Sequence, residues 1–318
     1  MRRPSEPDAS ALPAYRPLHA SLRWLNNQPY LLLSLTSLFW AGNIVLARHV
    51  AGHVPPLTLS CIRWMGSFIL LWPFARPHLR KDWPALRARW PLLLVLSATG
   101  FAINNALSYW GLQYTQALNA LLIQSSGPLF VALWSLALFG VRLTVFQLAG
   151  ILTSLLGVLT ILLRGDVSAL AGIRFNTGDL MVAGALLAFG LYSALMPYRP
   201  KTHQLSLISF TIGCGAVLLF PFSVWEFWAG LTLKPDALTA ATMLYVMTFP
   251  STLAYLFFNR GIALIGPNRA APFFHLMPVF GSALAIVLLG EQPRLFHLVG
   301  YLLVLAGVII ASRQASAA

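Results

Sequence analysis

The chain has 318 residues, 58% of them hydrophobic and only 9% charged, where an average soluble domain carries roughly 25% charged residues. So few charges exclude a water-soluble surface, and the apolar residues fall in blocks of about twenty, the length that crosses a ~30 Å hydrocarbon core as helix. The net charge of +13 would suit a nucleic-acid binder, but the basic residues sit in short connectors between apolar blocks, so no nucleic-acid partner is expected.

Residues 1–28 are rich in Pro, Ala and Arg and lack the apolar stretch of a secretory signal, which predicts a disordered cytoplasmic tail. Ten spans follow, at about 29–48, 56–75, 91–112, 116–139, 147–164, 177–197, 205–228, 237–260, 267–289 and 295–312. Pro55-Pro56, Arg76-Pro77, Arg199-Pro200, Lys234-Pro235, Gly266-Pro267 and Gln292-Pro293 punctuate them. In 81–90, Trp83, Leu86 and Trp90 share a helical face opposite Arg87 and Arg89, as in a helix lying along the interface. Cys61 and Cys214 both lie inside apolar blocks, so neither a disulfide framework nor a metal set is expected. With the N-terminus inside, 15 Lys and Arg residues fall on the cytoplasmic side, in the tail and near positions 76–89, 142, 199–201, 260–269 and 313. Only 5 fall on the other side: Arg48, Arg164, Arg174, Lys234 and Arg294. Both termini are therefore expected in the cytoplasm, and the excess of Arg over Lys suggests a bacterial inner membrane.

The two halves match at a constant offset of 150 residues. Gly111 pairs with Gly261, Ala120 with Ala270, Pro128 with Pro278, Phe130 with Phe280, Gly140 with Gly290, Gly150 with Gly300 and Gly157 with Gly307. At an offset of 149, Trp40 falls on Phe189 and Asn43 on Tyr192. Each unit, 29–164 and 177–312, holds five helices. An odd number forces the second copy to enter from the opposite side, giving an all-α membrane protein built as a 5+5 inverted repeat, an arrangement transporters use for alternating access.

The sequence resembles the EamA-type family of the drug/metabolite transporter superfamily from about residue 30 to 312. The likeness is carried by Cys61-Ile62-Arg63-Trp64, by Ser125-Ser126-Gly127-Pro128-Leu129-Phe130, by His275-Leu276-Met277-Pro278-Val279-Phe280, and by Leu289-Gly290-Glu291. The first half departs from the last of these, with Val141 where the family usually has Glu. The resemblance implies a ten-helix basket in which helices 5 and 10 are peripheral and the others surround a central cavity. It also implies export of an amino acid or similar metabolite, with no enzymatic activity.

Polar residues at helical spacing agree with that division. Thr36, Trp40 and Asn43 share a face of helix 1, Ser60, Arg63 and Ser67 of helix 2, and Ser97, Asn104 and Ser108 of helix 3. Gln124 precedes Pro128, Thr248, Thr252, Tyr255 and Asn259 line helix 8, and His275 precedes Pro278. Polar groups avoid lipid, so these faces should meet a cavity or one another. The substrate-binding candidates are Trp40, Asn43, Arg63, Asn104, Ser108, Gln124, Tyr192, Tyr255, Asn259 and His275. Pro128, Pro278, Gly140 and Gly290 are candidates for gating or structure, because a proline inside a span frees a backbone carbonyl. Glu226, near Trp225 and Trp228, reads as an interfacial residue. Helices 5 and 10 carry small-residue stripes, Gly150, Ser154 and Gly157 against Gly300 and Gly307, suited to close packing or to a homodimer face.

Arg63 is the only full charge inside a span, and no acid lies deep enough to meet it. Its partners must be carbonyls, amides, hydroxyls, cavity water or an anionic group on a substrate. A zwitterionic or anionic metabolite is therefore expected. The alternatives are a non-transporting scaffold and a membrane-embedded enzyme, and the spans hold no catalytic residues, metal ligands or cofactor motif that would support the latter.

Overall fold

The structure is a computed structural model that describes residues 24–50, 52–115, 120, 123–124, 126–166, 168, 176–289 and 294–312. Of the expected tail over 1–28, residues 1–23 lie outside the described residues, as do Gly290 and Glu291, while 24–28 form a short hydrogen-bonded turn leading into the first span.

The chain is all-helical. We label its spans α1 (Pro29–His49), α2 (Pro56–Ala88), α3 (Trp90–Tyr114), α4 (Gly127–Phe139), α5 (Val145–Leu162), α6 (Thr177–Leu195), α7 (Gln204–Trp228), α8 (Ala237–Ile265), α9 (Pro267–Ala270, Ala271–His275 and Leu276–Leu289) and α10 (Leu295–Ser312). Six of them, α1, α2, α3, α6, α7 and α8, are long and apolar enough to cross a membrane on length and composition alone. The packing repeats with the halves exchanged: α1 lies against α8 and α9 as α6 lies against α3 and α4, and α2 and α7 lie along each other.

The chain's connectors collect at two ends. At the end away from the termini His53 pairs with Asp236 at 2.7 Å and Thr115 hydrogen-bonds Asp179. At the termini end Ser135 Oγ donates to Asn268 Oδ1 at 3.1 Å, and Arg260 donates to Asn26 O and Asn27 Oδ1, each at 2.9 Å.

Two expectations about α2 are corrected. It does not stop at Arg76-Pro77, and 81–88 is its continuation rather than a separate interfacial helix. Pro73, Pro77 and Pro84 are exposed, while Leu71, Ala75 and Leu86 are buried on the opposite side. The carbonyls the prolines cannot satisfy therefore fall on the outer face, and packing on the buried face outweighs the proline penalty. At 33 residues, α2 is ~50 Å long and overshoots the bilayer core at the termini end.

There the overshoot docks on the start of α7. The His78 and His203 rings stack with centroids 3.6 Å apart, and Asp82 accepts the His203 backbone N–H at 2.8 Å. His203 also caps α7, its Nδ1 accepting the Leu205 N–H at 3.3 Å. Burial holds the His203 pKa below the ordinary histidine value, and His78 adds to this against the opposing Asp82 carboxylate. A histidine with a lowered folded pKa contributes stability that is complete above pH ~6.5 and is lost as pH falls through the folded value. Thermal unfolding should show a drop in Tm between pH 7 and 5, and His203→Gln should shrink it. An unchanged drop in that variant would assign the effect to other groups.

The small-residue stripes of α5 and α10 face each other. A Cβ on Gly150 would stand 2.4 Å from the Ala311 nitrogen, and one on Gly157 would stand 2.7 Å from the Gly300 oxygen. The two backbones touch, so these stripes serve packing within the chain.

Candidate functional site

A cavity of about 670 Å³, counting its open mouth, lies among α1, α2, α3, the segment just before α4, α6, α8 and α9. Its lining runs from Asn104 to Leu112 on α3 and from Val182 to Phe189 on α6. It therefore occupies the half of the molecule away from the termini. The two sides of its wall differ in chemistry. The first repeat supplies Asn43, Arg63, Asn104, Asn105, Ser108, Tyr109 and Gln124 beside the apolar Trp40, Ile44, Leu112 and Ala120, while the second supplies Val182, Leu186, Phe189, Phe274 and Met277, with Tyr255 its one hydroxyl. Arg63 is the only charged residue on the wall among the described residues.

Toward the termini the cavity ends on packed rings. Trp40 stacks on Phe274 with centroids 5.6 Å apart and lies 5.2 Å from Phe258. Phe101 lies 4.7 Å from Tyr255 and 4.9 Å from Trp64. Such an aromatic floor closes the termini end to a ligand in the cavity.

Of the ten binding candidates, Trp40, Asn43, Arg63, Asn104, Ser108, Gln124 and Tyr255 line the cavity. Tyr192, Asn259 and His275 do not. Tyr192 and Asn259 lie beyond the aromatic floor, joined by a 2.6 Å hydrogen bond from the Tyr192 hydroxyl to Asn259 Oδ1. His275 is fully buried in the 3-10 stretch of α9, where Ser154 of α5 hydrogen-bonds its Nδ1. Helix 5, read from the sequence as a mere packing stave, thus holds a polar group of the helix bundle.

Two polar cavity residues escape the sequence reading, Asn105 and Tyr109, together with Ser251 next to them. The cause is local geometry. Ala98–Ile103 in α3 and Met247–Leu253 in α8 are π-helical, and each π turn inserts a residue that rotates the faces a 3.6-residue period would predict. Beyond the first break Asn105 and Tyr109 join Asn104 and Ser108 on the wall. Within the second, Thr248 is left making a local hydrogen bond to Leu244 O at a half-buried position, while Ser251 is fully buried.

The two π segments coincide at the repeat offset of 150. Their equivalent carbonyls, Gly100 O and Pro250 O, each accept a side-chain hydrogen bond, from the Tyr255 hydroxyl at 2.8 Å and from Trp40 Nε1 at 3.0 Å. The same offsets relate two tyrosine–asparagine bonds: Tyr109 donates to Asn43 Oδ1 at 2.7 Å, and Tyr192 donates to Asn259 Oδ1. Reading Tyr255 and Asn259 back across the repeat would have flagged Asn105 and Tyr109.

Arg63 is 1% exposed. Its Nε donates to Ser251 Oγ at 2.7 Å, and its Nη1 donates to Asn105 Oδ1 at 2.9 Å and to the Tyr109 hydroxyl. The guanidinium also sits 4.4 Å from the Trp64 ring centre, a cation–π distance. Nη2 has no hydrogen-bond partner among the described residues. All these partners are neutral, so the positive charge is solvated but not cancelled.

The proline candidates sit at helix restarts. Pro128 lies in the first turn of α4 after Ser126, and Pro278 is the third residue of the α9 segment that follows the 3-10 stretch. In a first turn the missing N–H would have had no partner, so the break at α4 precedes Pro128, whereas Pro278 sits where the 3-10 stretch passes directly into α-helix. Gly140 ends α4 in the left-handed region at φ 67°, its N–H bonded to Leu136 O at 2.9 Å, a helix stop that glycine tolerates best. Glu226 is buried, not interfacial: its carboxylate accepts the N–H groups of Leu57 and Thr58 at 2.9 and 2.6 Å. It caps the N-terminus of α2 from across the bundle, where the helix dipole favours an anion.

The EamA-like transporter family profile matches residues 27–163 and 176–313, one match to each half. The chain belongs to the EamA-like transporter family. An uncharacterized transporter of Archaeoglobus fulgidus is 27% identical over 294 residues, covering 91% of this chain and 99% of the relative. A Salmonella typhimurium protein named a probable amino-acid metabolite efflux pump is 27% identical over 299 residues, covering 87% and 92%. A solved crystal structure superposes with a TM-score of 0.72 at 18% identity, covering 90% of this chain and 98% of that one, a likeness of fold. This EamA protein is thus a multi-pass membrane protein of a transporter family, in contact with the lipid bilayer.

Proposed function

We propose that the protein is a secondary transporter that exports a small zwitterionic or anionic metabolite, such as an amino acid, by alternating access. The observation that carries this reading is the wall of the cavity: one arginine whose Nη2 has no partner among the described residues, neutral amides and hydroxyls beside it, and apolar side chains opposite. A carboxylate placed at Nη2 would meet a charge that the protein itself leaves uncancelled. The apolar side offers space for a hydrophobic substituent. With both termini in the cytoplasm of a bacterial cell, as the charge asymmetry favours, the cavity opens outward and the aromatic floor forms the closed inner gate. The Salmonella relative's name is consistent with the amino-acid class.

An organic cation would find no carboxylate on this wall, and an enzyme would need a nucleophile–base pair or a metal set that the wall does not offer among the described residues. A scaffold would have no use for an open cavity built around a charge. Purified protein is expected to gain thermal stability with L-amino acids or their N-acetyl derivatives, because a ligand that binds only the folded state raises its apparent stability. Counterflow in proteoliposomes should then show exchange of the stabilising compound. Efficient transport of a quaternary ammonium compound, with no response to any carboxylate, would overturn the reading.

A further inference from the structure

Arg63 lies between the two helices that carry the π segments, bonded to Ser251 of one and to Asn105 just past the other. Each group that accepts a hydrogen bond from it passes its own hydrogen onward. Ser251 Oγ donates to Val246 O, the residue just before the π segment of α8. Asn105 Nδ2 donates to Phe101 O inside the π segment of α3 at 3.0 Å, and Tyr109 donates to Asn43. A hydroxyl or amide whose hydrogen is already committed can only present its lone pair, so the three groups form a fixed acceptor cradle. An ordinary α-helical turn at 247–253 would carry Ser251 off this face, because the extra residue of the π turn is what sets its direction. A second contact, between Ser67 and Thr252, ties α2 to the same segment.

We infer that Ser251, with Asn105, is a positioning residue for the cavity arginine: it aims the guanidinium so that Nη2 is the free donor, and it couples a ligand there to the π segments of both repeats. The inference rests on Arg63 being the anion contact of the proposed transporter, but the link between Ser251 and Arg63 can be tested without a substrate. Two measurements separate the claims.

The first is a double-mutant cycle on thermal stability of the ligand-free protein, using Ser251→Ala, Arg63→Lys and the pair. Ser251→Ala should lower Tm in the wild-type background and change it little in the Arg63→Lys background. Additive losses would overturn the positioning role. The second is counterflow with whichever of the twenty L-amino acids or their N-acetyl derivatives stabilises the wild type most. Loss of one charge-assisted contact should raise KM ~10-fold in Ser251→Ala with kcat within about twofold. Ser251→Thr, which keeps the hydroxyl, should restore it, and the KM effect should vanish in the Arg63→Lys background. A fall in kcat at constant KM, or no rescue by threonine, would place Ser251 in the backbone of α8 rather than behind the arginine. If no compound of the panel acts on the wild type, the transport reading fails, and a coupled stability cycle would still sustain the positioning link.

Discussion

Arg63→Lys should reduce transport of a carboxylate substrate by ~10- to 100-fold although the charge is kept, which corresponds to losing one or two charge-assisted hydrogen bonds. The arginine fork reaches Ser251 through Nε and both Asn105 and Tyr109 through Nη1, with Nη2 left over. A lysine ends in one nitrogen on a flexible stem and cannot serve α3, α8 and a ligand at the same time. Arg63→Ala should be worse for the fold, because Ser251, Asn105 and Tyr109 would keep their inward lone pairs with no donor. Each buried acceptor left without a donor costs about 1–3 kcal/mol, enough together to lower expression as well as turnover. The decisive comparison is Arg63→Lys on a carboxylate substrate against the corresponding amide. If both are transported at wild-type rates, the arginine is structural and the substrate assignment falls with it.

Gly150→Val is expected to abolish accumulation of folded protein in the membrane. Any Cβ at Gly150 would stand 2.4 Å from the Ala311 nitrogen and 2.5 Å from the Gly307 oxygen, so α5 and α10 must separate by an ångström or more to admit it. These helices bury their small-residue faces on each other, and in lipid, where no hydrophobic force drives association, close van der Waals packing holds them together. Ser154 hydrogen-bonds His275 from the same helix, so the displacement would also disturb α9 next to the cavity. Gly184→Ala is the control: its nearest neighbour is the tip of Leu107 at 3.4 Å, an ordinary contact. Fluorescence-detected size-exclusion profiles should show a monodisperse peak for Gly184→Ala and an aggregated or absent one for Gly150→Val. Equal, well-folded peaks would mean that the two helices are not held in this contact.

The two experiments probe different kinds of information in the chain. The α5–α10 contact is written in Gly150, Gly157, Gly300 and Gly307, whose spacing of seven places each pair on one helical face. The role of the arginine could also be anticipated, because a lone charge in a span without an acid must find neutral partners or a ligand. Which neutral partners it finds could not be anticipated. Asn105 and Ser251 fall off the faces that a regular helical period assigns, since a π turn depends on the tertiary competition for backbone carbonyls and not on a distinctive local composition. Tyr192 and Asn259 fail for another reason. They carry the right chemistry and the right repeat register, yet the inverted copy places them past the aromatic floor, on the side that is closed.

The sequence by itself determined the class, the helical spans and the duplicated organisation, because hydrophobic length and Gly and Pro spacing are one-dimensional quantities that the bilayer reads directly. It also determined that the only full charge deep within a span, away from the span ends, is positive. The tertiary structure decided three further matters: that α2 runs through its prolines, that Glu226 is a buried cap and not an interfacial residue, and that the amides and the charge on the cavity wall all come from the first repeat. Each depends on which face of a helix meets which neighbour. That choice is made by packing energies summed over distant segments, and no local pattern of residues encodes such a sum.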